Sequence, residues 1–354
     1  MKTIEDTIRR ITHIDNNMAA KAQKRLDNLT KPKQSLGKLE DFAKRVAGIT
    51  GNTGPSFKNK TIVTMAGDHG VAQEGVSLFP QEVTAQMIYN FLNGGAGVNV
   101  LAKHIGARVV VVDMGVAAKI KTHHRNFIDR KIAFGTKSIA IGPAMSKDEA
   151  VKSIEAGIEV FEEESIRRRI DVVGLGEMGI ANTTAATAIT SCITGAAVEA
   201  VTGRGTGISD NQLGIKIKVI KKALEINKPD PKDPFEVLKN LGGFEIGGLV
   251  GLILAAAAEK VPVVLDGFIT ASAALIATKI SSLSKEYLFA SHNSVEKGHT
   301  IALKQMGLEP MFDLKMRLGE GTGACLGISM IEAGVKILTG MAIFEDAGVS
   351  REKK

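Results

Sequence analysis

Tryptophan is absent from this sequence, tyrosine occurs twice, and cysteine is confined to Cys192 and Cys325. Two cysteines without metal-type spacing make neither a disulfide framework nor a zinc cluster, so both thiols read as small buried hydrophobes in a reducing compartment. The shortage of aromatics removes the stacking platforms of single-strand nucleic-acid binders. Lys and Arg number 45 against 38 Asp and Glu, an excess that favours anionic partners. It is not gathered into a basic stripe, and only short runs such as Arg167-Arg168-Arg169 occur. A phosphorylated small molecule therefore fits better than nucleic acid. Long hydrophobic runs are missing too. The most apolar uncharged stretch, Ile246 to Ala258, falls short of the roughly 20 residues that span a bilayer and reads as a buried helix. Met1 to Asp15 carries charges throughout and lacks an apolar signal core. The expectation is a cytoplasmic protein with no membrane partner.

What is present is a chain of 354 residues, 44% of them hydrophobic, enough for one large domain with an appendage. Residues 5–14, 16–29 and 39–49 carry helical patterns, separated by the breaker-rich segment from Lys31 to Gly37. From residue 60 the pattern changes to short apolar, β-branched runs, each ending in an acid or glycine before helix resumes. Thr61 to Met65 leads to Asp68, Val109 to Val112 to Asp113, Asp171 to Val173 to Glu177, and Val261 to Leu265 to Asp266. Runs apolar on both faces and alternating with helices predict a parallel sheet covered on each side. Ligands bind beyond the carboxyl ends of such strands, so the four acids are expected on one rim. The predicted organisation is a small helical domain in residues 1–55, a large α/β domain in 56–310, and an active-site loop and helix in 311–354 that return to the small domain.

Several segments carry possible chemistry. Gly174, Gly176 and Gly179 match the dinucleotide fingerprint, which offers a nicotinamide-dependent oxidoreductase as the alternative function. A pyrophosphate there would meet Glu177, which argues against it. Asn182-Thr183-Thr184 would cap the next helix and present its amides to a phosphate. A second glycine-rich turn, Gly203 to Gly207, precedes Lys216 and would supply further amides and a cation. Glu320 stands between Gly319 and Gly321 at the mouth of an apolar helix, with Arg317 the only cation close in sequence. A carboxylate in apolar surroundings has a raised pKa, which suits a general base; the plain alternative is an acid complementing a helix dipole. His69 reads as a hydrogen-bonded rim residue, and His123-His124, beside Lys121 and Arg125, as a solvated pair.

These segments together resemble the nicotinate-nucleotide-dimethylbenzimidazole phosphoribosyltransferase family over nearly the whole chain. The likeness runs through Ser35-Leu36-Gly37-Lys38-Leu39-Glu40, Ala66-Gly67-Asp68-His69-Gly70-Val71, Ile141-Gly142-Pro143-Ala144-Met145-Ser146 and Gly176-Glu177-Met178-Gly179-Ile180-Ala181-Asn182-Thr183-Thr184. It continues in Gly242-Gly243-Phe244-Glu245, Leu265-Asp266-Gly267-Phe268, Ser291-His292, Glu296-Lys297-Gly298 and Arg317-Leu318-Gly319-Glu320-Gly321. The resemblance implies Glu320 as general base and Glu177 as a second acid at the nucleotide site. It implies contacts to phosphate or ribose at Gly179, Asn182, Gly205, Lys216, Asp266 and Ser294, and a base pocket near Phe79, Gln86, Met87 and Leu318. Phe79 differs in size and polarity from the family pattern, which leaves the choice of acceptor open. The implied fold is a Rossmann-like parallel sheet with helices on both faces plus a small helical domain from both termini, assembled as a homodimer. Neither cofactor nor metal is implied, because a pyridinium leaving group is neutralised by its own departure. The two adjacent acids of a magnesium-dependent diphosphate-donor site are missing.

Overall fold

The computed structural model describes residues 3–205 and 207–350. Six strands, β1 (Lys60–Gly67), β2 (Arg108–Gly115), β3 (Phe127–Asp129), β4 (Val172–Met178), β5 (Val263–Leu265) and β6 (Leu288–Ala290), form one sheet. Every pairing is parallel and the spatial order is β3-β2-β1-β4-β5-β6, that of a doubly wound sheet. The order reverses between β1 and β4, which opens a crevice at their carboxyl ends.

Side-chain alternation assigns the faces. Ile62 and Gly174 turn toward Ala324 and Ile328 of the helix Thr322–Gly340, while Met65 and Met114 meet Gly248 of the helix Phe244–Ala258 on the other side. The α/β expectation, a parallel sheet covered on both faces, is what the chain adopts. Phe244–Ala258 is buried nearly throughout because it is sandwiched between the sheet and the charged helix Lys147–Arg167. Gly157 lies against the Gly248 carbonyl and Gly251 against the Ile154 carbonyl, so the two backbones touch with no room for a Cβ.

Thr322–Gly340 is long and apolar enough to cross a membrane by length and composition, yet half of it is buried within the fold. Its first turns join the main core through Ala324, Ile328 and Ile331. Its end joins a separate cluster of Ala22, Leu26, Leu29, Ala43, Ala47 and Leu338, closed by an antiparallel bridge from Leu29 to Ile343. The helices Asn16–Leu26 and Lys38–Thr50 supply the rest of that cluster.

Three sequence expectations are corrected. The first helix is Ile4–Arg10 and docks on the large core through Ile4 and Ile11, apart from the other N-terminal helices. It stops at β-branched Ile11, and the Thr12 carbonyl is taken by the Tyr287 hydroxyl at 2.9 Å. β3 and β6 were not anticipated, since three residues are too few to show alternation. The glycines at 174 and 176 are not a loop, because β4 continues through them to Met178.

Candidate active site

A cleft lies outside the carboxyl ends of β1, β4, β5 and β6. Among its walls are Glu177, Gly179, Asn182, Thr183, Gly205, Lys216, Ser294 and Leu318, gathered from loops far apart in sequence.

The Glu320 turn forms one end. Gly319, Glu320 and Gly321 have φ of 84°, 65° and 103°, three successive left-handed residues. Glycine adopts this freely; a glutamate there costs about 1–2 kcal/mol and persists only where its surroundings hold it. The holding groups are identifiable. The Glu320 carbonyl accepts the Thr64 hydroxyl at 2.9 Å. Asp266 accepts the amides of Gly321 at 3.0 Å, Gly323 at 2.6 Å and Ala324 at 3.2 Å. The Glu320 carboxylate accepts the Val98 amide at 3.1 Å and also the Gly97 amide, at the first turn of the helix Gly97–His104. Glu320 is 6% exposed. Its neighbours Arg317, Leu318 and Gly319 line the cleft, and its carboxylate stands one step behind them, among amides rather than beside Arg317. Burial raises its pKa against the pull of those two amides.

Glu177, at the end of β4, lines the cleft and presses on Gly319. Burial, and then the nearby Asp266 carboxylate, push its pKa up to about 8, although the Asn182 side-chain amide donates to it. Asn182 therefore reaches back to Glu177 instead of capping its helix, whose cap position is Ala181 with φ 73° and no side-chain bond. The three hydrogen bonds to the Asp266 carboxylate come from the Glu320 turn and the start of its helix, so it braces that turn, and burial lifts it to about 7.

These raised values link to stability. A carboxyl whose folded pKa exceeds its unfolded value favours the fold most below the unfolded pKa, and the benefit is lost as pH rises through the folded value. For Glu177 the window runs from its ordinary 4.5 up to about 8. The melting temperature of E177Q should fall less than that of the parent between pH 5 and 8; equal slopes would show that Glu177 does not carry the strain.

The other end is built for an anion. Lys216 is 1% exposed, and its ammonium donates to the Thr183 hydroxyl at 2.7 Å. Burial lowers its pKa to about 8, opposed by Glu296. Gly205 (φ 54°) and Arg204 complete the wall with the first turn of the helix Asn182–Thr194; Thr206 lies outside the described residues. Ser294 lines the cleft and donates to the Met316 carbonyl at 3.2 Å.

Phe79, Gln86 and Met87 are not brought to this cleft. Phe79 is 50% exposed, Gln86 faces outward on the helix Glu82–Leu92, and Met87 packs on the core. Val76 and Ser77 represent that segment in the wall. Asp68 and Asp113 are buried and tied to local partners, the Ala117 amide at 2.8 Å, and Lys131 at 2.8 Å with the Val116 amide at 2.9 Å. His69 pairs with Glu245 at 2.6 Å, both buried, and His123 and His124 are exposed. His292 and Glu296, which flank Ser294 in the cleft wall, were missed as site residues although both lie in segments of the family likeness.

The dinucleotide fingerprint dissolves at atomic level. A Cβ on Gly174 would strike Ile62, on Gly176 the Glu320 carbonyl, and on Gly179 the Gly67 carbonyl. Gly174 and Gly176 serve close packing of the Glu320 turn and its helix, and Gly179 the approach of β4 to the end of β1; the oxidoreductase alternative has no support.

A doubly wound sheet whose carboxyl-end crevice is walled by Glu177, Lys216, Ser294 and the loop leading into Glu320 defines an α/β enzyme of small-molecule substrates. A family model described as phosphoribosyltransferase matches residues 11–349. A nicotinate-nucleotide–dimethylbenzimidazole phosphoribosyltransferase of Desulforudis audaxviator is 52% identical over 353 residues, 100% of this chain and 99% of the relative. One from Geobacter sulfurreducens is 52% identical over 350 residues, with 99% of each chain covered. The crystal structure of the enzyme so named from Thermus thermophilus has a TM-score of 0.90 and 40% identity, covering 96% of this chain and 100% of that one. This chain belongs to that phosphoribosyltransferase family.

Proposed function

We infer that this chain moves the phosphoribosyl group of nicotinate mononucleotide to 5,6-dimethylbenzimidazole or a related base, giving an α-riboside 5′-phosphate and nicotinate for the lower ligand of a cobamide. The observation that carries this reading is the Glu320 turn, a strained carboxylate held by Thr64, Asp266 and the Gly97–Val98 amides at the edge of an anion-binding cleft. The mononucleotide's phosphate sits at Lys216, Gly205 and the first turn of Asn182–Thr194, with Gly179, Asn182 and Ser294 along the ribose. One azole nitrogen attacks C1′ as the bond to nicotinate breaks. The electron pair returns to the pyridinium nitrogen and neutralises the ring, so the leaving group needs no acid. The proton on the other azole nitrogen passes to Glu320. Attack from the face opposite nicotinate inverts the β-anomer to α, and holding base and sugar in line supplies much of the acceleration. Glu177, protonated up to about pH 8, serves as a neutral hydrogen-bonding group that does not repel the nucleotide.

Leu318, exposed and on the cleft wall, offers an apolar surface that suits a flat base. The chain works as a homodimer in the cytoplasm. Its small helical domain is the cluster of Ala22, Leu26, Leu29, Ala43, Ala47 and Leu338, while Ile4, Ile11, Val46 and Ile49 of the same N-terminal segment pack on the large core.

Incubation with nicotinate mononucleotide and dimethylbenzimidazole should release nicotinate in step with α-ribotide. No release with any azole acceptor would defeat the reading. Removing the Lys216 charge (K216A) should raise KM for the mononucleotide about 10- to 100-fold, the value of a charge-assisted phosphate contact, with a smaller change in kcat. An unchanged KM would move the phosphate elsewhere.

A further inference from the structure

Glu296 places a carboxylate at the anion end of the cleft, where every other group is arranged to attract one. It is 5% exposed. One oxygen accepts the Gly205 amide at 2.8 Å; the other is buried without a hydrogen-bond partner. That second oxygen rests against Gly203, where a Cβ would overlap it. Glu296 also acts on Lys216, keeping it charged against the effect of burial. The Thr183 hydroxyl and the Lys216 ammonium lie 3.0 and 3.5 Å from where a Gly205 Cβ would stand. Amide, hydroxyl and ammonium thus gather around Gly205, and the amide among them is already taken by the chain's own carboxylate.

We propose that Glu296 is a built-in competitor for the substrate's phosphate. It anchors the Gly203–Gly205 turn and takes the Gly205 amide that a phosphate would use. By facing the phosphate it also offsets part of the attraction of Lys216. This rests on reading the cleft as a phosphoribosyl site, and the chemistry gives the reason. Donor and product carry the same 5′-phosphate, so tight phosphate binding stabilises both alike, lowers KM without raising kcat, and retards product release. A carboxylate beside the phosphate keeps that shared affinity down while leaving the turn in shape. Glu296 is therefore a positioning and specificity residue.

The test is calorimetric titration of inorganic phosphate into the parent chain, E296Q, E296A and K216A, with melting temperatures recorded for each. Glutamine keeps an oxygen for the Gly205 amide and drops the charge, so at about pH 6, where Lys216 stays charged without help from Glu296, E296Q should bind phosphate roughly tenfold tighter, the scale of one nearby charge at partial burial. E296A loses the anchor and should bind more weakly. K216A should abolish the binding, which assigns the phosphate to this end. In turnover, E296Q should lower KM for nicotinate mononucleotide without raising kcat. The opposed signs of the two Glu296 variants are what a merely structural role would not produce. Phosphate affinity unchanged or weakened in E296Q, or insensitive to K216A, would overturn the proposal. Absence of nicotinate release by the parent chain would sink the transfer reading while leaving the phosphate titrations to stand or fall separately.

Discussion

Glu320→Gln is expected to lower kcat about 10²- to 10⁴-fold, the usual worth of a positioned general base, with the dissociation constant of nicotinate mononucleotide little changed. The amide retains an oxygen for the Val98 N–H, so the turn keeps its hold on the helix Gly97–His104 while losing the ability to accept a proton. Nicotinate release and nucleotide titration measure the two quantities separately. Parallel loss of both would point to collapse of the turn; unchanged turnover would remove Glu320 as the base.

The second large effect is expected far from any substrate atom. Gly176 lies in β4 beneath the Glu320 carbonyl, and a Cβ there would overlap that backbone oxygen and its carbon. A backbone group cannot swing aside as a side chain can. To make room, the turn must give up the Thr64 hydroxyl bond or the Asp266 brace. G176A should cost about 1–3 kcal/mol of stability through overpacking. It should also lower kcat about 10²-fold, since a displacement of about 1 Å in a catalytic group has that consequence. Assays well below the variant's melting temperature separate the two losses. Near-parental kcat would show that the turn tolerates movement.

Much of this was written in the sequence, though not always with the meaning first attached to it. Apolar runs ending in Asp68, Asp113, Glu177 and Asp266 located four strand ends correctly, because strands buried on both faces admit acids only where they emerge. Which acid does chemistry was not legible. Asp68 and Asp113 hold local backbone, Asp266 braces the Glu320 turn, and Glu177 alone of the four lines the cleft. Periodicity sees the strand end but not the amides that approach it from 55 residues away, as those of Gly321 approach Asp266. The glycines at 174 and 176 misled for a related reason, since a glycine required by a distant side chain or backbone looks like a glycine required by a phosphate. Phe79, Gln86 and Met87 came from family likeness, and the helix Glu82–Leu92 turns Thr84, Ile88 and Phe91 inward instead. His292 and Glu296 were passed over beside Ser294 because the contact that gives Glu296 its place, to the Gly205 amide, joins residues 91 positions apart.

Proton removal by Glu320 is tested most directly with an acceptor that has no proton to lose. In 1-methylbenzimidazole the free nitrogen can attack C1′, but the partner nitrogen carries a methyl group and ends as a stable cation. Comparing the parent chain with E320Q on this acceptor and on dimethylbenzimidazole, by nicotinate release in single turnovers, isolates the proton step. The deficit of E320Q should be large with dimethylbenzimidazole and shrink to near unity with the methylated base. An equal deficit on both acceptors would mean that Glu320 orients or binds the base and takes no proton from it.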